Sequence, residues 1–170
     1  MKITLVGYMG AGKTSLGKNL AFELGLDFYD LDIEIEKRSG FSISETIFNK
    51  GELFFRKLER EILMEILEKD DFVLASGGGT PCYYDNAELI ANKSFSIYLM
   101  YSVPTLFCRL DGKQKQRPLI AHLDGPGLKE YIGKHLMERM AFYEKSTQII
   151  NAESKTILEL SKEIEELIHD

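Results

Sequence analysis

The chain has 170 residues and a net charge of -6, with 21 Lys and Arg against 27 Asp and Glu. That length suits one domain with one hydrophobic core, and the acidic balance excludes broad binding to nucleic acid or to an anionic membrane. Two cysteines, Cys82 and Cys108, and three histidines make neither a disulfide framework nor a zinc site, and no apolar run approaches the roughly 18 residues of a membrane span.

In chain order, a strand is predicted over Ile3–Val6, directly after the first residues and with no signal peptide before it, so a cytoplasmic location is expected. It runs into Gly7-Tyr8-Met9-Gly10-Ala11-Gly12-Lys13-Thr14, which fits G-x-x-x-x-G-K-[ST], and a helix over Lys13–Leu24 follows. Glycines in such a loop let backbone N–H groups curl around a polyphosphate, and the next helix aims its positive end at it. Lys13 then brings a point charge to the β- and γ-phosphates, and the Thr14 hydroxyl suits Mg²⁺.

A second strand, Asp27–Tyr29, ends at Asp30-Leu31-Asp32 before a helix over Asp32–Ser39. Two readings stand for this pair. Asp32 is placed to cap the helix; alternatively, both carboxylates face the phosphate loop and divide metal binding from orientation of an attacking hydroxyl. Because no strand ends in the aspartate that many phosphate-loop proteins use for Mg²⁺, Asp30 leads for that task.

Helices are predicted over Ser44–Asn49 and Glu52–Glu68, with Gly25, Gly40 and Gly51 placed to stop the helices before them. Phe54, Phe55, Leu58, Ile62, Leu63 and Ile66 form an apolar stripe on the longer helix. Glu59 falls within that stripe and Arg56 lies on its edge. The pair is either structural or an arginine held by Glu59 and aimed at an anion. A third strand, Phe72–Ala75, leads into Gly77-Gly78-Gly79, where a ligand can approach the backbone closely or the chain simply turns.

Further on come a helix over Asp85–Ala91, a strand over Phe95–Met100, helices over Pro104–Leu110 and Leu128–Lys145, a strand over Gln148–Ile150 and a last helix over Thr156–Ile168. Residues 111–127 break this rhythm with turn formers, and are expected to be a mobile lid that presents Arg117 to the transferring phosphoryl group. In the long helix Leu128, Tyr131, Ile132, Leu136, Met140 and Tyr143 share a stripe, and Arg139 falls near its middle. An arginine there snorkels to solvent or meets a partner, and a carboxylate ligand is the favoured partner. The alternation of strands and helices implies an α/β fold, a parallel sheet covered on both faces, with ligands beyond the strands' carboxyl ends.

Taken together, Gly10-Ala11-Gly12-Lys13-Thr14, Asp30-Leu31-Asp32, Phe55-Arg56-Lys57-Leu58-Glu59, Gly77-Gly78-Gly79, Arg117-Pro118-Leu119 and Arg139-Met140-Ala141-Phe142-Tyr143 resemble the shikimate kinase family in order and spacing. The resemblance implies a three-layer α/β/α phosphate-loop kinase with a five-stranded parallel sheet in the order 2-3-1-4-5. It implies a single domain, with core 1–31, 72–110 and 128–170, a substrate-binding helical region 32–62 and a lid 111–127. The implied reaction passes the ATP γ-phosphate to the 3-hydroxyl of shikimate, on the route to chorismate, in an enzyme expected to act as a monomer with one Mg²⁺.

Carried over to this chain, Gly10, Ala11, Gly12, Lys13, Thr14 and Ser15 hold ATP, with Arg109 on the base and Arg117 on the γ-phosphate. Asp32, Arg56, Gly77, Gly78, Gly79 and Arg139 hold shikimate, and Glu59 supports them from behind. Thr14 and Asp30 serve the metal, Asp30 directly or through water. The stretch from Arg109 to Arg117 is one residue longer than is common in the family, and the loop Asn151–Lys155 lacks the proline often found there. Another small phosphate-loop kinase, for gluconate or a nucleoside monophosphate, and a non-catalytic nucleotide-binding module remain the rival readings.

Overall fold

The computed structural model describes residues 1–116 and 119–169, so Arg117 lies outside the described residues. Five strands, β1 (Lys2–Val6), β2 (Asp27–Asp30), β3 (Phe72–Ala75), β4 (Phe95–Met100) and β5 (Gln148–Asn151), form one sheet in the order β2-β3-β1-β4-β5. Every pairing is parallel, as the sequence implied. Ile3, Leu5, Phe72, Val73, Leu74 and Ile97 are fully buried. Apolar residues on consecutive positions of β3 are what a strand covered on both faces requires.

Among the described residues, eight helices connect and cover the sheet: α1 (Lys13–Leu24), α2 (Leu31–Ser39), α3 (Ile43–Lys50), α4 (Glu52–Leu67), α5 (Asn86–Lys93), α6 (Val103–Leu110), α7 (Gly125–Tyr143) and α8 (Ile157–His169). Single 3₁₀ turns follow the glycine triplet at Thr80–Cys82 and precede α7 at Gln114–Gln116. Local chemistry sets several boundaries. Ser42 and Glu45 make a reciprocal capping box at the start of α3. Gly25, at φ 66°, ends α1 by returning its N–H to the carbonyls of Ala21 and Phe22. Among the described residues, no helix is long and apolar enough to cross a membrane.

The strand order fixes where a ligand sits. The β1-to-β2 connection runs one way along the sheet, and the later ones run the other way. Right-handed crossovers therefore place α1 on one face and the helices of the later connections on the opposite face; α8 packs beside α1. The loops after β1 and β3 leave neighbouring strands toward opposite faces. Such a divergence opens a crevice at the strands' carboxyl ends.

Most expected boundaries shift by one or two residues, and two of the differences bear on the site. α7 begins at Gly125, not Leu128: the Asp124 carboxylate accepts the Gly127 N–H at 2.8 Å and Pro126 presets the first turn. Residues 125–127 thus belong to the helix. The segment before it is also less purely polar in effect than its composition suggested, because Ile120 is fully buried and Leu123 packs on the core. The second difference is at α2, where Asp30 is the cap and Asp32 sits inside the first turn.

Candidate active site

The phosphate loop joins β1 to α1, and its conformation demands its glycines. Gly10 and Gly12 have φ of 80° and 82°, and a Cβ on Gly10 would come within 3.1 Å of the Leu110 side chain. Lys13 lies at the start of α1, almost buried, with Nζ donating to the carbonyls of Gly7 (2.7 Å) and Tyr8 (3.0 Å). An ammonium clamped across the loop in this way is set down where phosphate oxygens would be received.

Thr14 and Asp30 meet directly: the Thr14 hydroxyl donates to Asp30 Oδ2 at 2.6 Å. The other carboxylate oxygen, Oδ1, accepts the backbone N–H groups of Asp32 (3.1 Å) and Ile33 (3.4 Å), which is the α2 cap. Here the two readings of the aspartate pair separate. Capping belongs to Asp30, because the residue just outside the helix has the extended backbone a cap needs, and the Asp32 side chain is released for the crevice. A hydroxyl and a carboxylate side by side are hard oxygen donors of the kind Mg²⁺ takes when phosphates complete its shell. Among the described residues, no cluster of three His, Cys, Asp or Glu could hold a metal by itself. The Thr14–Asp30 oxygen pair fits a magnesium ion whose remaining ligands are phosphate oxygens and water.

Asp32 as a residue is exposed, but its carboxylate turns inward, with Oδ1 2.9 Å from the position of a Cβ on Gly77. Loss of hydration there, together with the negative charge of Asp30, pushes its carboxyl from the ordinary 3.8 up to about 6, against the pull of Lys13; Glu59 and Glu36 add to the rise. A carboxylate with a pKa drawn toward neutrality is suited to accept a proton.

The glycine triplet is the hub of the site. A Cβ on Gly77 would fall 2.7 Å from Thr80 Oγ1 and 3.3 Å from Glu59 Oε1; one on Gly78 would lie 3.3 Å from the Met9 backbone nitrogen. One on Gly79 would meet Arg56 Nη2 at 3.1 Å and Arg139 Nη2 at 3.4 Å. None of the three glycines has a positive φ. They are small because the protein's own acidic, cationic and phosphate-loop groups close on them from several sides. The sequence pattern alone offers only a plain turn or close approach of a ligand. Tyr143 fixes the middle of the triplet by donating its hydroxyl to the Gly78 carbonyl at 2.5 Å.

Arg56 and Arg139 converge on Gly79 by different routes. Arg56 comes from α4, where Glu59 is fully buried. Glu59 Oε2 accepts from Arg56 Nη1 at 2.9 Å, and Oε1 accepts from Thr80 at 2.7 Å. A buried carboxylate needs this pairing. The Arg56–Glu59 ion pair is thus formed, and it sets the Arg56 guanidinium beside Gly79. Arg139 comes from α7, whose buried line is Leu128, Ile132, Leu136 and Tyr143. Met140 does not share that line and is 38% exposed, because it lies one step round the helix from Arg139. The ion pairs among the described residues engage Arg38, Arg56 and Arg60 but not Arg139. Two guanidinium groups so close repel each other unless an anion lies between them.

Next to Arg139, His135 Nδ1 and the Tyr8 hydroxyl hydrogen-bond at 2.9 Å, tying the phosphate loop to α7. Burial, reinforced by the Arg139 charge, holds the imidazole down at about 4, so it is neutral at physiological pH. On the far side of the phosphate loop, a cavity of about 170 Å³ is lined by Ala11, Gly12, Ser15, Tyr101, Arg109 and Lys155, among others. Arg109 lies 4.1 Å above the Tyr101 ring and donates to the Gly10 carbonyl at 3.2 Å. The Arg109 guanidinium is thus held between the Tyr101 ring and the phosphate loop at the wall of this cavity. Tyr8, Tyr101, Tyr143 and His135 do not stand out in the sequence as site residues, because aromatic side chains read there as ordinary core.

A family description for shikimate kinase matches residues 9–169. A shikimate kinase of Flavobacterium johnsoniae is 40% identical over 169 residues, 98% of each chain. The crystal structure of shikimate kinase from Bacteroides thetaiotaomicron superposes with a TM-score of 0.92 at 37% identity, covering 99% of this chain and 98% of that one. Shikimate kinase from Acinetobacter baumannii in complex with shikimate gives 0.89 at 33% identity, covering 98% of this chain and 92% of that one.

Proposed function

This chain belongs to the shikimate kinase family and passes the γ-phosphate of ATP to the 3-hydroxyl of shikimate, and we propose that Lys13, Asp32 and Arg117 are the groups that act on the reacting atoms. The observation that carries this division of labour is the meeting of Arg56 and Arg139 at Gly79, in the same crevice as Asp32 and the phosphate loop. Two forked cations match a carboxylate bidentately. With the acceptor's carboxylate held there, a ring hydroxyl is presented to Asp32, which accepts its hydrogen bond and takes up its proton as the oxygen attacks phosphorus.

Lys13 follows the charge that accumulates on the phosphoryl oxygens, and Arg117, by its place in the Arg117-Pro118-Leu119 motif, covers the same group. Gly10–Ser15 hold the polyphosphate through backbone N–H groups and the start of α1. Arg109 faces the base. Thr14 and Asp30 would hold Mg²⁺, Asp30 directly or through water, and the ion would neutralise phosphate charge. We assign the protein to the cytoplasm as a monomer.

The carboxylate grip is tested on Arg139. Arg139→Ala should raise the KM for shikimate about ten- to a hundredfold, as loss of one charge-assisted hydrogen bond to an anion does. The melting temperature should change little, since no acidic partner among the described residues is left uncompensated. The methyl ester of shikimate should then bind wild type and variant about equally. Unchanged KM with a large loss of stability would make Arg139 a structural residue instead.

A further inference from the structure

Arg56 is held more completely than its pairing with Glu59 explains. Its guanidinium carbon lies 3.7 Å above the ring of Tyr83, a stacking distance, and 4.7 Å from Phe55. The Tyr83 hydroxyl donates to Glu52 Oε1 at 2.9 Å, and that same oxygen stands 3.6 Å from Arg56 Nε. Nε itself is buried without a hydrogen bond among the described residues. The contact to Glu59 and the long approach of Glu52 hold only one edge of the guanidinium; a ring centred 3.7 Å from its carbon restrains the rest.

The loop that carries Tyr83 is pinned to the helix that carries Arg56. One turn along α4, Arg60 Nη2 pairs with Asp85 at 2.6 Å and Nη1 donates to Asn86 Oδ1 at 2.7 Å. The guanidinium of Arg60 also lies 5.4 Å from the ring of Tyr84, which adopts a left-handed φ of 53°. A non-glycine residue pays for that conformation only where its surroundings fix it. Arg56 and Tyr83 are therefore fastened to each other through two turns of one helix.

We propose that Tyr83 is a positioning residue of the acceptor site: its ring holds the Arg56 guanidinium in the plane that, beside Arg139 at Gly79, receives the substrate carboxylate. The inference rests on the reading of Arg56 as a carboxylate ligand. Tyr83 touches Arg56 and not the reacting atoms, so its loss weakens acceptor binding and spares phosphoryl transfer.

Saturation kinetics on Tyr83→Leu and Tyr83→Phe decide the matter, with Tyr83→Met as a second removal of the ring and Arg56→Lys as the control for the reading beneath it. Tyr83→Leu should raise the KM for shikimate about three- to tenfold, the share a partly desolvated cation–π contact can contribute. Its kcat and its KM for ATP should stay within about twofold, because the phosphate loop is untouched. Tyr83→Phe keeps the stack and should restore KM to within about twofold of wild type. The wild-type preference for shikimate over its methyl ester should shrink in Tyr83→Leu by the same factor as KM rises. If Arg56→Lys raises KM and lowers the preference while folded Tyr83→Leu or Tyr83→Met leaves both unchanged, the role assigned to Tyr83 is wrong. If Arg56→Lys leaves both unchanged, it is the carboxylate reading of Arg56 that fails, and the role of Tyr83 with it.

Discussion

Lys13→Met is expected to lower kcat by about 10²–10³-fold, the usual loss when one preorganised charge is taken from a developing anion. The fold should survive. Lys13 Nζ bridges the Gly7 and Tyr8 carbonyls at 2.7 and 3.0 Å, and losing those contacts costs on the order of 1–3 kcal/mol. The rest of the loop is held independently, by the left-handed glycines and by Arg109 on the Gly10 carbonyl. Steady-state rates and a thermal melt on one preparation separate the effects: a near wild-type kcat in a folded variant would remove Lys13 from the chemistry.

Asp32→Asn should lower kcat by about 10²–10⁴-fold, the range for loss of a positioned general base, while ATP affinity changes little because Asp30, not Asp32, adjoins Thr14. Two pH signatures accompany it. In wild type kcat/KM should fall on the acid side of pH 6, where the carboxyl of the free enzyme takes up its proton; in Asp32→Asn that limb should vanish. The second signature is in stability. The folded-state pKa lies above the unfolded value, so between about 4 and 6 the native state binds the extra proton and wild-type stability falls as pH rises. Above pH 6 the charged carboxylate is a standing cost, and Asp32→Asn should melt higher than wild type there. Collapse of ATP affinity instead would exchange the roles of the two aspartates.

Chemistry confined to a few neighbouring residues is legible in the amino-acid sequence. The phosphate loop is one case, since its glycines, lysine and threonine act through their spacing along the chain. The Arg56–Glu59 pair is another, because residues three apart on a helix are neighbours. The sheet follows from apolar runs alternating with amphipathic segments, although its strand order came from family resemblance. Boundaries are less secure: the α2 cap moves two positions, from Asp32 to Asp30, and the start of α7 moves three, from Leu128 to Gly125. Met140 shows the limit of a helical wheel, since a residue one position from the buried line reads as part of it.

Contacts between distant parts of the chain leave no local mark. Tyr8 and His135 are 127 residues apart, and Tyr143 and Gly78 are 65 apart. Nothing about those tyrosines distinguishes them from core aromatic residues until the loops close. The glycine triplet is visible in the sequence, but the reason for it is not, because Asp32, Glu59, Arg56 and Arg139 reach it from three separate helices.

The central claim, that the crevice holds its acceptor by a carboxylate and offers the 3-hydroxyl to Asp32, is tested most directly by ADP release from one protein preparation given four acceptor conditions. These are shikimate, its C3-ketone analogue, gluconate, and no acceptor. Rapid ADP release with shikimate alone is predicted, with the ketone acting as a competitive inhibitor because its carboxylate is still gripped while no hydroxyl faces Asp32. ADP release driven by the C3-ketone analogue or by gluconate, at a rate comparable to that with shikimate, would contradict it.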